Sequence, residues 1–176
     1  MRRSDFTSRL RSYAFHLMSR RSWAKEEFRQ KLVKYLLKRK KEMTKEGEGL
    51  IDNILSEMEE MGLLDDREFA GLFVRHSLSF RKRGIAAVKK ELQRKGVEEG
   101  IIEEVIKGEG EEEAAIAKKL IGKYQKRYEK VATQKNLSGQ KRKEFVKKKL
   151  QEVLLRRGFR FEVIERVLGE FLRSGQ

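Results

Sequence analysis

Apolar residues return along this chain at helical spacing, in three kinds of segment that follow one another in the same order three times. The first kind sets an alanine before apolar residues three and four places on: Ala14, Leu17 and Met18; Ala70, Phe73 and Val74; Ala117, Leu120 and Ile121. The second pairs Phe28 with Leu32, Val88 with Leu92, and Leu150 with Leu154. The third reads Ile51, Ile54, Leu55, then Ile102, Val105, Ile106, then Ile164, Val167, Leu168. Residues three and four apart share one face of a helix, so each segment is an amphipathic helix with a single stripe to bury.

The constant order predicts an all-α fold of three tandem three-helix repeats, spanning residues 1–62, 63–108 and 109–176. The second and third repeats match further. Leu92, Gly96, Ile102 and Val105 keep the spacing of Leu154, Gly158, Ile164 and Val167 at an offset of 62. Gly96 and Gly158 fall where a helix C-cap needs a left-handed residue. Units this short bury little surface alone, so neighbours must share their cores, and an elongated, curved array is expected.

Glycine clusters mark the connections, because glycine costs about 1 kcal/mol inside a helix. They are Lys45-Glu46-Gly47-Glu48-Gly49, Gly108-Glu109-Gly110, and the polar stretch from Thr133 to Gln140. Asp65 and Glu68 have capping-box spacing before Phe69 and Ala70. Ser22 is placed to cap a helix starting near Trp23, and Trp23 itself reads as a core anchor.

Composition needs this periodicity to be interpreted. Only 38% of the 176 residues are hydrophobic, 40% are charged and none is proline. Low hydrophobicity with high charge can prevent folding. Here, however, the charges are mostly Lys, Arg and Glu, which favour helix, and the apolar residues are periodic. Without cysteine there is neither a disulfide nor a thiolate metal site. No apolar run approaches the roughly 20 residues that span a bilayer, and the basic N-terminus lacks the apolar core of a secretory signal. The expectation is a cytoplasmic monomer with no membrane contact.

The formal charge is +15, which predicts attraction to phosphate backbones or acidic proteins. Its distribution is uneven. Residues 1–50 carry 15 basic and 6 acidic side chains, residues 51–110 carry 10 and 13, and residues 111–176 carry 18 and 9. Basic clusters fall before the second helix of each repeat: Arg20 and Arg21; Arg81, Lys82 and Arg83; Lys141, Arg142 and Lys143. Arg21, Arg81 and Lys143 each stand eleven residues before Leu32, Leu92 and Leu154. Cations at a helix N-terminus oppose the helix dipole, whereas free N–H groups there suit phosphate. The clusters therefore read as a recurring DNA contact, with Arg156 and Arg157 near the end of the chain added to it. The run Lys38-Arg39-Lys40-Lys41 reads as a solvated helix end. Tyr124 and Tyr128 interleave with cations as in single-strand binders, but their four-residue spacing after Leu120 favours the core.

Enzyme signatures are missing. His16 and His76 have no metal-ligand spacing, and there is no phosphate-binding glycine loop or nucleophile elbow. The run Glu111-Glu112-Glu113 reads as acid complementing a helix dipole. No catalytic residue, metal ligand or cofactor is assigned.

Several segments resemble the RecX family of bacterial recombination regulators. They are Arg20-Arg21-Ser22 with Glu27-Phe28-Arg29-Gln30-Lys31-Leu32, and Gly62-Leu63-Leu64-Asp65-Asp66-Arg67-Glu68-Phe69-Ala70. To these are added Arg83-Gly84 leading to Glu91-Leu92-Gln93-Arg94-Lys95-Gly96-Val97, and Arg156-Arg157-Gly158-Phe159. The resemblance implies tandem three-helix repeats, a non-enzymatic role restraining the RecA recombinase by binding in the groove of the RecA–DNA filament, and direct binding of single- or double-stranded DNA. The sequence departs from the family pattern around Lys41–Gly49 and Tyr128–Lys143, where it is longer. Two other readings remain: a general nucleic-acid-binding module without a recombinase partner, and a scaffold for acidic proteins.

Overall fold

A computed structural model describes residues 3–40 and 43–174 of the protein. Among these residues all regular structure is helical: α1 (Arg3–Met18), α2 (Lys25–Lys40), α3 (Lys45–Glu60), α4 (Asp66–Ser79), α5 (Ile85–Arg94), α6 (Glu99–Ile106), α7 (Gly110–Gln134), α8 (Gly139–Arg156) and α9 (Phe161–Ser174). The chain falls into two compact units, Met1–Gly71 with Leu92–Val105, and Leu72–Glu91 with Ile106–Gln176.

The periodic residues form the cores. In the first unit Leu10, Ala14, Phe28, Leu32, Leu36, Ile51, Leu55 and Met58 are buried together where α1, α2 and α3 pack on one another. In the second, Ala117, Leu120, Ile121, Leu150, Leu154, Ile164 and Leu168 are buried where α7, α8 and α9 do the same. Fully burying an aliphatic side chain is worth about 1.5–3 kcal/mol, so these stripes outweigh the modest propensity cost of their flanking residues.

Gly96 and Gly158 adopt positive φ, 80° and 76°, and end α5 and α8 as left-handed caps. Each also lets a turn approach a helix closely. A Cβ on Gly96 would collide with the Glu26 side chain, and one on Gly158 with Ala87. Glu26 and Ala87 each lie in the first turn of a helix, α2 and α5.

Two connections differ from expectation. Lys45 to Gly49 is the first turn of α3, not a loop. Thr44 caps it, accepting from the Gly47 N–H at 3.1 Å, and Gly47 is buried against Leu36. A glycine in a first turn costs little, and its lack of a side chain brings α3 close to α2. Residues 41 and 42, part of the departure from the family pattern, lie outside the described residues. Ser22 is not the cap of α2, which begins at Lys25. The Lys25 N–H instead donates to the Asp66 carboxylate at 2.7 Å. Asp65 does cap α4, accepting from the N–H groups of Arg67 at 2.8 Å and Glu68 at 3.0 Å.

Candidate nucleic-acid interface

The arginines that precede α2 have different surroundings. Arg20 is exposed and makes no ion pair among the described residues. Arg21 is committed to the fold: it holds both oxygens of Glu27, at 2.9 and 3.3 Å, and lies 3.4 Å from the centre of the Trp23 ring. Trp23 is buried, with its indole N–H on the Leu17 carbonyl at 2.9 Å. Glu27 also accepts from Lys95 at 3.0 Å. Burial alone would raise the Glu27 carboxyl, but the hydrogen bonds from Arg21 and Lys95 hold it below its ordinary value. A guanidinium stacked and paired in this way has little left to offer a phosphate.

The second cluster is a turn held from outside. Lys82 has a positive φ of 53°, a conformation unfavourable for a residue with a Cβ. Arg157 braces it, donating to the carbonyls of Lys82 at 3.2 Å and Arg81 at 3.4 Å, and to the Tyr124 hydroxyl at 3.4 Å. That hydrogen bond holds the Tyr124 phenol below its ordinary value, with Lys123 and Arg127 nearby adding to the effect. Arg81 and Arg83 both pair with Glu91, and the Lys82 ammonium donates to the Ser79 carbonyl. The structure thus brings Arg81, Lys82, Arg83 and Arg157 together, largely engaged with their own fold. Phe80 stands beside this turn, 77% exposed and stacked on His76.

The N-terminus of α5 is not open to an anion. Its Gly84 N–H donates to Arg157 O at 2.9 Å, Ile85 N–H to Glu113 at 2.9 Å, and Ala87 N–H to Gly158 O at 3.3 Å. Glu113, read from sequence as dipole complement, is fully buried and also accepts from the Arg160 backbone at 3.1 Å and side chain at 2.7 Å. With Asp66 on Lys25, two of the three helix starts expected to hold phosphate are filled by carboxylates of the chain itself.

The third cluster does not precede its helix. Two extra turns at the start of α8 place Lys141, Arg142 and Lys143 within its first two turns, where their side chains make no ion pair among the described residues. Arg142 and Lys143 line a cleft of about 630 Å³ with Gln125, Val146, Phe171 and Leu172. Arg156 is exposed at the other end of α8, about 20 Å away at 1.5 Å per residue.

Two features escaped the sequence reading. Tyr124 and Tyr128 are only half-buried and stack on one another at 6.2 Å instead of entering the core. On the same helix Lys119, Lys123, Lys126 and Lys130 are exposed, and make no ion pair among the described residues. Their i, i+4, i+7, i+11 spacing puts all four on one stripe of α7. That periodicity was available in the sequence, but attention to runs of adjacent cations hides it. Among the described residues no three His, Asp or Glu side chains gather as metal ligands, and no helix is long and apolar enough to cross a membrane.

Comparison with known proteins bears on this geometry. Residues 65–106 match the profile of the second three-helix domain of RecX. The chain is 32% identical to the regulatory protein RecX of Pelodictyon phaeoclathratiforme over 158 residues, covering 89% of this chain and 85% of that protein. It is also 32% identical to the regulatory protein RecX of Bacillus cytotoxicus over 143 residues, covering 81% of this chain but 47% of that protein. The chain therefore spans about half the length of that longer relative. The crystal structure of RecX from Lactobacillus salivarius superposes with a TM-score of 0.74 at 18% identity, over 95% of this chain and 97% of that one, which establishes likeness of fold.

Proposed function

Because the chain belongs to the RecX family of regulatory proteins, we propose that it regulates recombination by binding the RecA recombinase–DNA filament and restraining its ATPase and strand-exchange activities, with direct contact to DNA. The observation that carries the DNA contact is the set of exposed cations that make no ion pair among the described residues: Arg20, Arg156, Lys141, Lys143 and, on α7, Lys119, Lys123, Lys126 and Lys130. Unneutralised cations at this density serve a polyanion better than they serve folding. Tandem repeats at 1–62, 63–108 and 109–176 would present such groups repeatedly to a partner that is itself periodic. The reading places the protein in the cytoplasm, where a recombinase and its DNA are found, and gives it no catalytic step.

The test adds the protein in sub-stoichiometric amounts to RecA on single-stranded DNA and follows ATP hydrolysis and strand exchange. Both should fall. Unchanged rates together with no binding to the filament would refute the proposal. Equal affinity for bare and RecA-coated DNA, with inhibition only through competition for DNA, would favour a general nucleic-acid-binding module instead.

A further inference from the structure

We infer that the groove between α7 and α9 docks a protein partner through an acidic amphipathic helix, whose apolar residues enter beside Gly122 and whose acids meet Arg142 and Lys143. The surface goes beyond the reading above, since it engages protein instead of DNA. It lies wholly within the second compact unit.

The cleft that Arg142 and Lys143 line does not end at Gln125. A second one, of about 250 Å³, continues along α7 past Gly122 and Ile121 to Lys118, with Val167 and Phe171 of α9 as its other wall. Gln125 and Phe171 border both, so the two are one groove. At 100° and 1.5 Å per residue, Lys118, Gly122, Gln125 and Glu129 fall within about 60° of one another and extend for about 16 Å, or about three helical turns. Val146, Phe171 and Leu172 make the wide end apolar, the last two only half-buried.

The fold does not account for Gly122. Glycine is among the poorest residues for a helix interior, and α7 runs unbroken from Gly110 to Gln134 around it. A Cβ there would meet nothing within 4 Å, so no contact among the described residues needs the space. A missing side chain on the wall of a groove lets another backbone approach closely, as suits a helix laid along it.

Charge selects the partner. Glu170 and Glu129 also line the groove, but they are already engaged, with Lys118 at 2.6 Å and with the Gln125 amide at 2.7 Å. Arg142 and Lys143 make no ion pair among the described residues. The exposed Lys126 and Lys119 stand about 40° and about 60° round the helix from Gly122, on the rim. The groove therefore offers apolar surface edged by positive charge. A second copy of this chain, at +15, is repelled. A sugar–phosphate backbone gains nothing from the apolar wall. A helix with acids beside its apolar stripe satisfies both features.

The experiment titrates the full chain with a fluorescein-labelled peptide of about 16 residues, with leucines three and four apart on one face and glutamates on the other. A peptide of the same composition with scrambled spacing reports charge attraction alone. Fluorescence anisotropy should show the patterned peptide binding roughly tenfold more tightly. Gly122→Gln, a better helix former that fills the groove wall, should weaken that binding roughly tenfold. Gly100→Gln, on the exposed surface of α6, should not. R142Q with K143Q should weaken it roughly fivefold, while K34Q with K38Q, equal in charge but on α2, should stay near wild type. In isotope-labelled protein the peptide should shift the amide signals of Gly122, Gln125 and Phe171. Circular dichroism checks that each variant is folded, and oligo(dT) binding, followed in parallel, should be unchanged by Gly122→Gln. Equal affinity for the two peptides, a Gly122→Gln variant no weaker than Gly100→Gln, or shifts lying away from the groove each overturn the inference. A wild type that still binds oligo(dT) then leaves the DNA reading intact. Equal losses of peptide and oligo(dT) in Gly122→Gln also overturn it.

Discussion

The Glu113 carboxylate accepts the backbone N–H of Ile85 at 2.9 Å, so an acid in the first turn of α7 caps the start of α5. Asp66, the first residue of α4, does the same for Lys25 at the start of α2, at 2.7 Å. In both cases the first helix of one repeat supplies the cap that the second helix of the preceding repeat lacks. Neighbouring repeats are thereby joined by a buried or half-buried polar contact.

Glu113 is the more consequential of the two, because it is fully buried and serves the backbone of Ile85 and both the backbone and side chain of Arg160. Glu113→Ala should destabilise the protein by about 3 kcal/mol, since it leaves buried donors without an acceptor. Glu113→Gln, which keeps one oxygen, should cost less. Urea denaturation followed by circular dichroism would read both.

Gly84 and Gly122 should respond in opposite directions to alanine. A Cβ on Gly84 would fall on the backbone of Phe159 and the Gly158 carbonyl, which cannot rotate away. Overpacking of this kind costs about 1–3 kcal/mol or more. Gly122 lies within α7 with open space around it, so Gly122→Ala should stabilise by about 0.5–1 kcal/mol. Thermal melts of the two variants beside wild type provide the comparison.

Arg21 separates stability from binding. Arg21→Ala removes the group that covers Trp23 and pairs with Glu27. Since Trp23 is the only tryptophan, its emission should shift to the red and the melting temperature should fall. Affinity for DNA should stay close to wild type. A large loss of binding, in a protein still folded, would return Arg21 to the interface.

Acid should weaken the first unit partly through Glu27. Its folded value lies below the ordinary 4.5, so between those two values the unfolded chain binds more protons. The contribution is complete above pH 4.5 and is lost as pH falls through the folded value. Glu27→Gln should therefore flatten the acid limb of melting temperature against pH. Asp66 acts with the opposite sign. Burial raises it above its ordinary 3.8, partly offset by the Lys25 N–H, so stability is lost as pH rises through that interval, and Asp66→Asn should remove the loss.

Much of the fold was legible in the residues because helical burial is a local code. Ala14 and Leu17, Phe28 and Leu32, Ile51 and Leu55 are buried where their spacing placed them, and Gly96 and Gly158 carry the positive φ their positions called for. The first turn of α3 was misread because glycine content was weighed without the Thr44 cap and the close approach to Leu36. The tyrosines of α7 were assigned inward by spacing alone, although a helix of 25 residues can turn part of that face past the end of its partners.

By itself the sequence determined the helices, their order, their buried stripes and the excess of positive charge, since each depends on residues within a few positions of one another. Which cations are free was decided only by tertiary structure. Glu27, Glu91, Glu113 and the carbonyls of Arg81 and Lys82 reach their partners across turns or from other helices, so the chain order of the basic clusters does not reveal that they are occupied. Pairing is a property of distance in space, and that distance separates the arginines committed to the fold from Lys119, Lys123, Lys126 and Lys130 of α7, left facing water.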